Sequence, residues 1–105
     1  MQIQIHLSAN LDGGESFASH VRNAVETALA HFSMRITRVD VHISDQNGEK
    51  NGGADKRCVI EARLAGRQPT AVANAAATLE RAVDGAVDKL ARSLERALGR
   101  VEDDR

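Results

Sequence analysis

The first residues alternate, with Ile3, Ile5 and Leu7 at one parity and Gln2, Gln4 and His6 at the other. A period of two marks a strand with one buried face, so residues 2–7 read as a β-strand. The stretch NLDGG at residues 10–14 then reads as a loop, and Ser16 is of a type suited to an N-cap. Beyond it, Phe17, Val21, Val25, Leu29 and Phe32 recur at spacings of four and three, and Ala24 and Ala28 widen their stripe. Residues 17–32 therefore read as an amphipathic helix, with Ser19, Arg22, Asn23, Glu26 and Thr27 on its polar side.

Alternation returns over residues 36–44, where Val39, Val41 and Ile43 oppose Arg38, Asp40 and His42. Residues 45–55 (DQNGEKNGGAD) carry three glycines and two asparagines and suit a long, mobile hairpin loop. A third strand over residues 56–65 sets Cys58, Ile60, Ala62 and Leu64 against Arg57, Val59, Glu61 and Arg63. Gly66 and Arg67 turn the chain into a short fourth strand over residues 68–74. Pro69 predicts an edge position for it, because proline cannot donate to a ladder. Thr78 is a suitable N-cap for a helix over residues 79–98, although Arg81 stands where a capping box has Glu, and Gly99 suits the C-cap.

The element order is β-α-β-β-β-α. Two amphipathic helices need a common apolar surface, and a four-stranded sheet with one apolar face provides it. The expectation is an α+β two-layer sandwich, both helices on one face and the polar sheet face open. The same expectation takes residues 1–99 as one domain and 100–105 as a charged, frayed tail.

Composition adds limits. A chain of 105 residues supports one core. With two Phe, no Tyr and no Trp, that core is built from Ala, Val, Ile and Leu, which favours thin layers. The same shortage argues against a base-stacking platform for single-stranded RNA. A net charge of −1 gives no global positive field, so nucleic-acid binding has to rest on a local patch. The N-terminus lacks the basic and apolar regions of a signal peptide, and no run suits a membrane span; the expectation is a cytoplasmic protein. Cys58, alone, reads as a small buried thiol.

The second helix holds the most informative geometry. At about 100° per residue, Leu79, Val83, Val87, Leu90, Leu94 and Val101 gather on one side. Arg81, Lys89, Arg92, Arg96 and Arg100 gather on the opposite side, bordered by Asp84, Asp88 and Glu95. A row of cations on a rigid element can span successive phosphates. The alternative is a solvated face with pairs such as Asp88–Arg92 at i,i+4. On the third strand and its ends, Lys56, Arg57, Arg63 and Arg67 cluster, Arg38 can join them, and pairing with Asp40 and Glu61 competes with RNA contact.

No metal or cofactor is expected. His20 and His31 share a helix but stand roughly 16 Å apart along its axis. His6 and His42 can be neighbours on the polar sheet face without a third ligand. The acidic residues of the 45–55 loop lack the glycine and terminal glutamate of a calcium loop. With no phosphate loop, nucleophile elbow or HExxH pair, an enzyme is not expected either.

The element order, the opening MQIQI, the link Arg35-Ile36-Thr37-Arg38-Val39 and the segment AVDGAVDKLARSLER (residues 82–96) together resemble the ribosome hibernation-promoting factor / RaiA family. The resemblance spans about residues 1–98 and is closest in the second helix; it is to the short, single-domain form. It implies a double-stranded-RNA-binding-domain-like fold that binds the small ribosomal subunit and its rRNA in the decoding channel. Occlusion of that channel would block translation under stress. By position, the resemblance carries RNA contact to Lys89, Arg92 and Arg96, with Arg22 the basic candidate on the first helix.

Three departures bear on affinity. Family members carry several lysines on the first helix, where this chain has Arg22 opposed by Glu26. They often end in a polybasic tail, where this one ends VEDDR, and Glu80 replaces an aromatic near the start of the second helix. A second reading is therefore a protein-interaction module on the same fold, compatible with a weak dimer through an open sheet face or edge. Neither reading calls for a membrane or a small-molecule substrate.

Overall fold

A computed structural model describes residues 1–8, 11, 14–45 and 55–99. Strand β1 (Gln2–Leu7) pairs in parallel with β2 (Ile36–Asp45), and α1 (Gly14–Ala28) supplies the crossover a parallel pair requires. Strands β3 (Lys56–Leu64) and β4 (Thr70–Ala76) add in antiparallel fashion, giving a mixed sheet in the order β1-β2-β3-β4. Helix α2 (Leu79–Leu98) returns across β3 and β4 and packs against α1. This is the expected β-α-β-β-β-α sandwich. No helix among the described residues is long and apolar enough to cross a membrane.

The strand parities emerge as read. Val39, Val41 and Ile43 of β2 and Cys58, Ile60, Ala62 and Leu64 of β3 are buried against the helices. Phe17, Val21 and Val25 meet them from α1, and Val83, Val87, Leu90 and Leu94 from α2. Ala82 and Ala86 are wholly buried, so α2 lies close to the sheet and the layers are thin, as a core short of aromatics requires. Burial pushes the Cys58 thiol up to about 12, and it packs as a neutral small side chain.

Several boundaries differ from the sequence reading, β2 and β3 by a single residue at their ends. Helix α1 starts at Gly14 (φ +72°), an entry conformation that glycine adopts without strain, so Ser16 lies inside the first turn beside Glu15. The helix stops at Ala28, and the chain tightens into a 3-10 turn at Ala30–Phe32 that buries Phe32. Strand β4 begins after Pro69 and runs two residues further than expected, to Ala76, because its ladder follows β3 back to Lys56. Leu7, expected on the core face, is 36% exposed at the end of edge strand β1. The Thr78 cap is present: Thr78 Oγ1 accepts from the Arg81 N–H at 3.1 Å. Gly99 closes the other end at φ +78°, donating its N–H to the Glu95 carbonyl at 2.9 Å. Most of the 45–55 loop, together with Arg100, Val101 and the rest of the tail, lies outside the described residues.

Candidate nucleic-acid interface

Two hydrogen bonds orient the exposed face of α2. Asp84 Oδ1 bonds His20 Nε2 of α1 at 3.0 Å, so the acidic edge of the helix faces α1. On the other flank Lys89 Nζ donates to the Ala73 carbonyl of edge strand β4 at 2.9 Å. Between them Arg81, Lys89, Arg92 and Arg96 fall within an arc of about 80°, and Arg81 to Arg96 spans about 22 Å along the axis. All four side chains are exposed. The row thus runs along the outer, β4-side flank of α2, with Asp84, Asp88 and Glu95 along the α1 side.

Not all four cations stand ready for a ligand. Arg92 Nη1 holds Asp88 Oδ2 at 2.6 Å, the i,i+4 pair expected from spacing, and both partners are more than half exposed. Lys89 is engaged by a carbonyl rather than a carboxylate, which leaves its charge uncompensated. Arg81 and Arg96 have no ion pair among the described residues. Arg22 stands two residues, about 200°, round α1 from His20, which faces α2. It therefore lies on the flank of α1 turned away from the row. Arg100 lies outside the described residues.

The cations around β3 do not gather. Lys56 Nζ sits between Asp55 at 3.2 Å and Asp45 at 3.6 Å; the Asp55 hydrogen bond, with the charge of Asp45, raises its ammonium above the ordinary value. Arg67 reaches round to donate to the Ala97 carbonyl at 3.1 Å, near the negative end of the α2 dipole. Arg57 and Arg63 remain exposed on the open sheet face. There, Arg38 grips Asp40 of its own strand, Nε to Oδ2 at 3.1 Å, and reaches across the ladder to Gln4 Oε1 of β1 at 3.2 Å. His6 Nε2 completes the cluster against Asp40 Oδ1 at 3.3 Å.

The adjacency of His6 and His42, legible from strand parity, takes a form parity does not reveal. Their rings stack, with centroids 4.5 Å apart and planes inclined by 11°. Among the described residues no three His, Cys, Asp or Glu side chains converge as metal ligands.

A domain of this topology with a cationic helix flank has relatives. The profile of the family described as sigma 54 modulation protein / S30EA ribosomal protein matches residues 3–102. The chain belongs to this family. Two solved structures share the S30EA fold. The N-terminal domain of Protein Y from Thermus thermophilus superposes with a TM-score of 0.74 at 24% identity, covering 92% of this chain and 99% of that one. A ribosomal subunit interface protein from Coxiella burnetii gives 0.70 at 16% identity, covering 95% and 100% respectively. No curated protein matches the chain. S30EA membership makes this a ribosome-associated protein, and it turns the α2 row from one charged helix face among many into a candidate RNA-contacting surface.

Proposed function

We propose that this S30EA-family chain is a non-catalytic ribosome stasis factor. It binds the small ribosomal subunit in the decoding channel and blocks translation under stress by occupying that space. The observation that carries this reading is the exposed row Arg81, Lys89, Arg92 and Arg96 on one rigid helix of a ribosome-associated family domain. Guanidinium and ammonium groups along one helix flank can each neutralise a phosphate of rRNA and release counterions. Arg22, from the far flank of α1, and Arg100 beyond α2 would add contacts at the margins. The folded body does the blocking; the row fixes where it sits.

Sedimentation through a sucrose gradient with small subunits at low salt tests the reading. Co-sedimentation that weakens steeply with salt is expected, and charge reversal in Arg92→Glu/Arg96→Glu should abolish it. Protein remaining at the top of the gradient at low salt overturns it. The competing interaction-module reading draws on the Arg92–Asp88 pair, the acidic edge of α2 and the net charge of −1. Under that reading the same charge reversal leaves the protein's associations unchanged.

A further inference from the structure

The open face of the sheet carries a second feature that the helix row does not use. His6 and His42 are Cα partners across the parallel β1–β2 pair, and their stacked rings stand on the polar face. The stack is held at its His6 end. Asp40, 5% exposed, accepts from Arg38 and meets His6 Nε2, so the His6 ring is fixed by a buried, hydrogen-bonded carboxylate. His42 is fixed in turn by stacking on His6. Next to the pair lies a cavity of about 270 Å³, lined by both imidazoles, Val59, Ser8 and Ser44 among others. Val59 is the Cα partner of His42 on β3, and Arg57 is the partner of Ser44 two residues further along the ladder. Arg57 is exposed and makes no ion pair among the described residues, whereas its neighbour Lys56 is held by Asp45 and Asp55.

A flat, preorganised π-stack beside an apolar side chain and an exposed guanidinium matches one ligand chemistry closely: an unstacked base with its phosphate. We infer that the His6–His42 stack and Arg57 form a binding site for a base of single-stranded RNA, on the sheet face opposite the helices. The base extends the imidazole stack over His42 and covers Val59, and Arg57 takes the adjoining phosphate. Asp40 is a positioning residue that keeps the His6 ring upright. Composition alone argued against a stacking platform because Phe, Tyr and Trp are scarce; two cross-strand histidines supply the missing ring faces. This inference rests on the ribosome reading for its source of RNA, while it concerns a different surface from the α2 row.

Fluorescence anisotropy with a labelled octa-adenylate RNA, set against an abasic ribose-phosphate octamer of equal charge, tests it. The wild-type protein should bind the adenylate about tenfold more tightly than the abasic chain, a difference that phosphate contacts alone cannot produce. His42→Ala should remove the preference, and His42→Phe should keep it, which separates ring stacking from loss of fold. Arg92→Glu/Arg96→Glu should keep the preference even where co-sedimentation with small subunits is lost, so failure of the ribosome reading and failure of this one are told apart. Equal binding of the two octamers by the wild type overturns the inference. An undiminished preference in His42→Ala, or no binding of either octamer at millimolar concentration, also overturns it.

Discussion

Asp40 is a buried carboxylate in a sheet otherwise buried on one side only, and its environment settles its charge. Burial alone would raise its pKa, but hydrogen bonds from Arg38 and His6, and the charges of both, outweigh that and leave it below the ordinary carboxylate value. A depressed native pKa gives stability that is present above the unfolded value of about 3.9 and lost as pH falls through the native one. Asp40→Asn keeps the shape and removes the charge. It should lower the urea midpoint at pH 7, reporting a loss of about 2 kcal/mol of stability, the scale of hydrogen bonds to a charged group. As pH falls from the unfolded value through the depressed native one, the variant and the wild type should converge. A stability gap that stays constant throughout an acid titration would show that the carboxylate's charge is not what stabilises the fold. Strand parity placed Asp40 and its neighbours on the polar face correctly. It gave no sign that the residue is buried there, because burial arises from two side chains folding over it from β1 and β2.

At the scale of elements, the period-two and period-four patterns made the four strands, the two helices and nearly all of the core legible, since each reports only which face a residue occupies. Boundaries and contacts between elements were less legible. The start of α1 depends on the conformation of Gly14, and the join between α2 and β4 depends on a single small residue. Asn74 of β4 lies under α2 and donates from Nδ2 to the Ala82 carbonyl at 3.3 Å. A Cβ at Gly85 would fall 2.7 Å from Asn74 Cγ, so glycine there makes the room that Asn74 occupies. Nothing in the spacing of Asn74 and Gly85 announces this contact. Replacing glycine by alanine inside a helix ordinarily gains about 1 kcal/mol. Here Gly85→Ala should instead destabilise, because the added methyl displaces the Asn74 amide from its carbonyl. In an Asn74→Ala background the same change should become stabilising by about 0.5–1 kcal/mol. A double-mutant cycle by urea denaturation reads the change of sign, and additive effects would mean that the two residues do not share that space.

For the molecule as a whole, charge is arranged rather than abundant. With a net charge of −1 there is no long-range positive field, and attraction to RNA has to arise where acids and bases are segregated. Helix α2 is where that segregation occurs, basic toward β4 and acidic toward α1. The helical wheel made the row itself legible in the sequence, and the Asp88–Arg92 pair with it. Lys89's engagement was not legible, because it depends on where the edge of β4 lies in space. The pairing of Arg92 with Asp88 leads to a test in the direction of gain. An exposed pair at i,i+4 contributes only about 0.3–0.5 kcal/mol to stability, so Asp88→Asn should leave the fold nearly unchanged. It frees Arg92 for a phosphate and removes a negative charge from beside the row. If the row meets rRNA, Asp88→Asn should bind small subunits several-fold more tightly in the sucrose gradient, and the plot of log affinity against log salt should steepen by up to about one unit. If the domain instead recognises a protein through another surface, the substitution changes neither. A weakened association would point to Asp88 itself as a contact and would reverse the assignment of this flank. Tighter binding on removing an acid is hard to produce by damage to the fold, so this substitution tests the α2 row more directly than the loss of binding expected from charge reversal.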